Sequence, residues 1–205
     1  MTATRAATGP AAAAPGTPAL PSGAPPRPRN VATLGVLILA TGGVMAFAAL
    51  VAAYRALQHA GPLPPKGVKL DNYLGVMATL TMLLSVPLVE WGWTAVRREQ
   101  RRQAITALCL TIAMGVAFID LDWYLVSRLG FGVATPYGTV FYAMVILAGI
   151  TAGAGVVFLI GALLRVIGSQ ATAAEPELVR VAAWYWEFVV LAWVVVALTL
   201  YPIVK

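Results

Sequence analysis

Four carboxylic acids sit inside long apolar stretches of this chain: Glu90, Asp120, Asp122 and Glu187. Acids at bilayer depth are costly. They face protein or water, where they relay protons or hold a neighbouring subunit. Glu90 lies two turns before the run RREQRR, and Arg97 or Arg98 is its simplest partner. Asp120 and Asp122 point about 200° apart on a helix, so they cannot share one partner. For this pair a proton relay or subunit contact stands beside a plainer reading, surface snorkelling plus one buried hydrogen bond. Glu187 lies in WYWEF, where Trp184 and Tyr185 fit an interfacial aromatic belt and the deeper Glu187 needs a partner or a proton. The rest of the chemical inventory is sparse. With one histidine, His59, and one cysteine, Cys109, the chain cannot build a bis-histidine haem site, a histidine-rich copper or zinc site, or an internal disulfide. There is no nucleophile–base pair, phosphate loop or metal-ligand spacing. The expectation is no catalytic residue, no metal and no cofactor in this chain, with any redox group carried by another subunit. Cys109 is expected to be a small lipid- or core-facing residue.

The elements that position these acids follow from composition. Of 205 residues, 60% are hydrophobic and 11% charged, with a mean hydropathy of +0.83. Soluble domains are about 45–50% apolar and about 25% charged, so a soluble enzyme is excluded. Extended disorder is excluded as well. Five apolar segments, near 31–58, 73–95, 104–126, 139–167 and 179–204, each reach the roughly 20 residues a spanning helix needs. The fold class is all-α, a five-helix transmembrane domain over 31–205. Pro87 should kink the second helix. Residues 1–30 hold seven of the fourteen prolines and nine alanines, and are expected to form a disordered Ala/Pro-rich tail. Gly149 and Gly153 form a GxxxG that permits close helix packing.

The net charge is +6. The arginines flank apolar segments, where they set topology, so nucleic acid is not the expected partner. With the N-terminus cytoplasmic, nine basic residues lie inside (Arg5, Arg27, Arg29, Arg97, Arg98, Arg101, Arg102, Arg165, Arg180) and five outside (Arg55, Lys66, Lys69, Arg128, Lys205). The expected topology is N-terminus in and C-terminus out.

Three runs, taken together, resemble haem–copper oxidase subunit III in a divergent five-helix form: Leu34–Leu57, Tyr137–Arg165 and Trp184–Tyr201. The resemblance covers roughly residues 31–204. It rests on the Tyr-Gly-x-x-Phe-Tyr start (Tyr137, Gly138, Phe141, Tyr142) and on Trp186, Phe188, Val189 and Trp193 in the last helix. The departures from the family fall on its polar positions. Ala148 and Thr151 stand at two histidine positions, Glu187 at a third, and Val190 at an aspartate. Gly42 and Gly43 replace a Ser-Glu pair, Asp122 falls on a Gln or Glu position, and Leu125 on a glutamate. The packing frame is kept while much of the buried polar network is exchanged.

The resemblance implies a non-catalytic subunit of a bacterial terminal oxidase in the cytoplasmic membrane. It would pack beside oxidase subunit I, and II, and bind phospholipid in a cleft, with haem and copper in the partner subunits. The family's support of proton uptake depends on the exchanged polar residues; the scaffold role depends on them less. Glu187, Asp122, Asp120, Glu90, Trp186, Trp193 and Tyr142 are the candidate buried-polar, subunit or lipid contacts. Two other readings stay open. One is an accessory protein of a nitric oxide reductase or another complex reusing the fold. The other is a small transporter, which the lack of an internal repeat disfavours.

Overall fold

The computed structural model describes residues 31–61, 72–129, 131–168 and 177–201. The expected tail at 1–30, most of the 60–72 loop and Pro176 lie outside the described residues, as does the end of the fifth segment beyond 201. Five helices account for nearly all that is described: α1 (Val31–Ala60), α2 (Asn72–Arg97), α3 (Arg101–Arg128), α4 (Pro136–Ile167) and α5 (Glu177–Leu200). No strand occurs among the described residues. All five helices are long and apolar enough to cross a bilayer, so the chain is an all-α, multi-pass membrane protein.

Helix ends follow local chemistry. Thr135 caps α4, its Oγ1 accepting the Gly138 N–H at 3.1 Å, and Pro136 fills the first turn, where no amide donor is needed. α2 runs to Arg97 with Pro87 inside it. It ends in a Schellman turn: Gln100 N–H donates to Ala95 O at 2.9 Å and Glu99 N–H to Val96 O at 3.0 Å. Glu99 takes the left-handed position of that turn, φ 59°, where glycine is usual. α3 then starts at Arg101, three residues before its apolar run. Arg101 donates through Nε to Val166 O at 3.2 Å, and through Nη2 to Ile167 O. It thereby satisfies carbonyls that the end of α4 leaves open.

The same contacts fix the helix directions. The α2–α3 turn meets the C-terminal end of α4. At the opposite end Tyr54 of α1 packs on Tyr137 at the start of α4, ring centroids 6.3 Å apart, and Gly75 at the start of α2 lies under the Tyr201 ring. Successive helices therefore run in alternating directions. α2, α3, α4 and α5 form a closed ring of neighbours, and α1 leans on α4 and α5 from outside. The core centres on α5. Trp186 and Trp193 are buried, and the Phe118 edge meets Trp193 at 4.8 Å. Close approach is made possible by glycines facing large rings. A Cβ at Gly115 would lie 2.6 Å from Trp186 Cη2, and one at Gly155 would lie 2.8 Å from Trp186 Cε3. The two glycines of the GxxxG differ. Nothing lies within 4 Å of a Cβ at Gly153, whereas a Cβ at Gly149 would lie 2.7 Å from Asp122 Oδ2 of α3. Gly155 is the α4 glycine that faces Trp186.

Candidate functional site

Three charged residues, Glu90, Arg180 and Glu187, gather between α2 and α5. Arg180 Nη1 donates to Glu90 Oε1 at 2.7 Å, and both side chains stay partly exposed, Arg180 at 29% and Glu90 at 39%. Glu187 lies two turns after Arg180 on the same face of α5, and its electrostatic neighbours are Glu90 and Arg180. The Arg180 guanidinium also stacks against Trp93 at 5.3 Å and Trp184 at 5.1 Å. Arg97 covers the same Trp93 ring at 5.7 Å. The expected pairing of Glu90 with Arg97 or Arg98 is therefore corrected. Its partner comes from another helix, because α5 brings Arg180 directly across from it. Arg180 was visible in the sequence only as a topology charge. The signal it offered was its two-turn spacing from Glu187.

The two aspartates part company. Asp120 is exposed, while Asp122 is buried, at 7% exposure, between α3 and α4. Its Oδ2 sits against the bare Gly149 backbone, 2.7 Å from where a Cβ would stand. Its Oδ1 has no hydrogen-bond partner among the described residues. Gly149 thus makes room for a carboxyl, a role that the GxxxG spacing did not suggest.

The aromatic candidates are packing posts with satisfied polar ends. Trp186 Nε1 donates to Ser85 Oγ at 2.8 Å, and Ser85 donates onward to Met82 O at 2.6 Å. Trp193 Nε1 donates to Thr79 Oγ1 at 3.2 Å, and Thr79 to Gly75 O at 2.7 Å. Sequence reasoning missed Ser85 and Thr79. Mid-helix hydroxyls usually bond their own helix, as these also do. Tyr142 donates to Phe131 O at 3.0 Å and holds the α3–α4 connection. Tyr185 corrects the belt expectation: it is buried and donates to Thr151 O at 3.3 Å. Trp184 is exposed, under Arg180. Cys109 is exposed.

Three positions singled out by the resemblance, Ala148, Thr151 and Val190, are now apolar or self-satisfied. Ala148 and Val190 are buried, and the Thr151 hydroxyl bonds Leu147 O and Ala148 O of its own helix. Phe188 takes the space beside Gly43, 2.6 Å from where a Cβ would stand. Among the described residues no three His, Cys, Asp or Glu side chains converge as a metal site would require. The arrangement can join helices and present charge.

A multi-pass helical bundle whose polar groups tie helix to helix is the class these contacts define. The model of the family described as cytochrome c oxidase subunit III matches residues 29–203, and the chain belongs to that family. Cytochrome c oxidase subunit 3 of Gallus gallus is 34% identical over 144 residues, 69% of this chain and 55% of the relative. The Schizophyllum commune protein of that name is 29% identical over 177 residues, covering 82% and 66%. That of Chondrus crispus is 30% identical over 141 residues, covering 67% and 52%. The chain thus spans between about half and two thirds of the length of these curated relatives.

Proposed function

We propose that this chain is a non-catalytic accessory subunit of a haem–copper terminal oxidase in the bacterial cytoplasmic membrane. It stabilises the catalytic subunit I, beside subunit II, and the haem and copper belong to those partners. The observation that carries the reading is the family match across all five helices, combined with buried tryptophans engaged in helix packing. Among the described residues six arginines (Arg97, Arg98, Arg101, Arg102, Arg165, Arg180) lie at one end of the bundle and two (Arg55, Arg128) at the other. The positive-inside bias supports a cytoplasmic N-terminus and an external C-terminus. Phospholipid is the proposed occupant of the cleft of about 460 Å³ on the α4 side of α1, lined by Val36, Leu39, Val157, Phe158 and Val181.

A second reading, an accessory subunit of a nitric oxide reductase or a related complex, draws on the substituted positions Ala148, Thr151 and Glu187. An altered polar set suits an altered partner. Mild-detergent purification from native membranes, with mass spectrometry and an optical haem spectrum, separates the two. Co-purification with an oxidase subunit I is the expected result. Co-purification with a nitric oxide reductase moves the assignment to the second reading, and recovery without haem or a large partner overturns both.

A further inference from the structure

Of the four acids within the spans, three are accounted for by the chain itself. Glu90 and Glu187 share a hydrogen bond beside Arg180, and Asp122 is buried against Gly149. Asp120 alone is exposed with no hydrogen-bond or ion-pair partner among the described residues. It belongs to the outward stripe of α3, where Thr106, Cys109, Ala113, Val116, Asp120 and Trp123 are all exposed. Their spacing of three and four residues is that of a seam between packed helices, and its small members allow close approach. The outward sides of α2, α4 and α5 carry bulky aliphatics instead, such as Leu80 and Leu84, Ile146 and Ile150, and Leu191 and Leu198. Alanines line the outer side of α1, where no acid accompanies them.

Asp120 also lies too deep for the membrane surface. The 28 residues of α3 extend about 42 Å. Centred on a hydrocarbon core of about 30 Å, the helix crosses the core's edge near Tyr124, about four residues before Arg128. Trp123 and Tyr124 are exposed there, as an interfacial belt would be. Asp120 sits one turn deeper. Its stem is a single methylene, so it does not snorkel over that turn as a lysine or arginine would. Arg128, the nearest cation on its own helix, is two turns away and stacks on Tyr124 at 5.1 Å. By the antiparallel register that sets Gly92 on Leu108 and Asp122 on Gly149, the exposed neighbours at its level are Leu80 of α2 and Ile150 of α4. Neither offers a donor.

Resting on the accessory-subunit reading, we infer that the outward face of α3 packs against a spanning helix of the haem-carrying subunit, and that this helix places a lysine or arginine at the depth of Asp120. Charge complementarity selects that occupant. Acyl chains offer a carboxylate nothing, and ammonium headgroups lie above the Trp123 and Tyr124 belt. A second copy of this chain, in the same orientation, brings a second Asp120 to the same depth. The cations of α3 are confined to its ends, at Arg101, Arg102 and Arg128, so such a pair would hold two like charges and no counter-ion.

The test uses the full chain in its native membranes, with photoreactive benzoylphenylalanine introduced one position at a time. Val116 and Trp123, either side of Asp120, are the reporting positions. Met45 on α1 and Leu191 on α5, exposed on other faces, are the controls. The expected result is cross-linking from Val116 and Trp123 to a spanning segment of the haem-carrying subunit that contains a lysine or arginine, about ten-fold above the controls. Asp120→Leu in the Val116 reporter should cut that yield about ten-fold at equal chain abundance, and Asp120→Asn, which keeps an acceptor, should lose less. An unchanged yield in Asp120→Leu overturns the inference. So do lipid adducts, a second copy, or a cross-link within the chain as the main product at Val116 and Trp123. Haem-subunit cross-links from Met45 or Leu191 alone overturn this face and leave the accessory reading standing, as does co-purification with that subunit without a cross-link from any position. Neither co-purification nor capture of a haem protein removes both. The positional comparison needs no charge-removing variant, so it holds even where Asp120→Leu fails to accumulate.

Discussion

α1 and α5 are almost equally greasy and occupy opposite environments. Their best windows have mean hydropathies of 2.4 and 2.0, yet 11% of the α1 window and 61% of the α5 window is buried within the protein. Hydropathy reports transfer out of water, and lipid and protein interior satisfy it equally well. What separates the helices is the pairing of small and large groups. α5 carries Tyr185, Trp186 and Trp193, and these meet glycines or hydroxyls on α2, α3 and α4. In α1 Gly43 meets the Phe188 ring, but a Cβ at Gly35 or Gly42 would meet nothing within 4 Å, and Leu37, Ile38 and Met45 face outward. Shape complementarity marks the protein-facing side of a membrane helix, and apolarity alone does not.

That contrast can be broken or sharpened by substitution, each case read as resistance to denaturant in detergent. Trp186→Ala should cost the most, about 3–5 kcal/mol, since it empties the centre where α2, α3, α4 and α5 meet. Gly115→Val should follow at about 1–3 kcal/mol, because the new side chain enters space held by Trp186 and Val156. Ser85→Ala should cost about 1–2 kcal/mol, leaving the buried Trp186 N–H without its acceptor. Glu99→Gly should raise stability by about 1 kcal/mol, relieving a left-handed backbone position away from the core. Gly42→Val on α1 should change stability by less than about 0.5 kcal/mol. If Gly42→Val proved as damaging as Gly115→Val, α1 would be a packed helix and the comparison would fail.

The sequence carried the five spans clearly, because each apolar run exceeds bilayer length and ends at charges or helix breakers. Boundaries moved where a local device overrode apolarity. Thr135 and Pro136 start α4 three residues before the apolar run begins at Thr139, and Arg101 starts α3 early by finding the carbonyls of α4. The divergence of Asp120 and Asp122 onto different faces was readable from helical geometry alone. Partnerships between helices were not. Glu90 and Arg180 are ninety positions apart, and only the antiparallel packing of α2 and α5 brings them together. Gly153 and Gly155 are indistinguishable by type, and their roles depend on which one meets Trp186. Tyr185 sits beside the exposed Trp184, yet it turns inward because each step round the helix turns by about 100°.

The tryptophans divide the molecule optically. Trp186 and Trp193 are sealed inside with their indole N–H groups bonded to hydroxyls, whereas Trp91, Trp123 and Trp184 are exposed on the outer surface. Brominated acyl chains should therefore quench the outer indoles and spare the inner two, leaving a residual emission from the centre of the bundle. Docking of a neighbour along α3 would shield Trp123 and leave Trp184 in contact with the lipid, so the quenched fraction itself reports assembly.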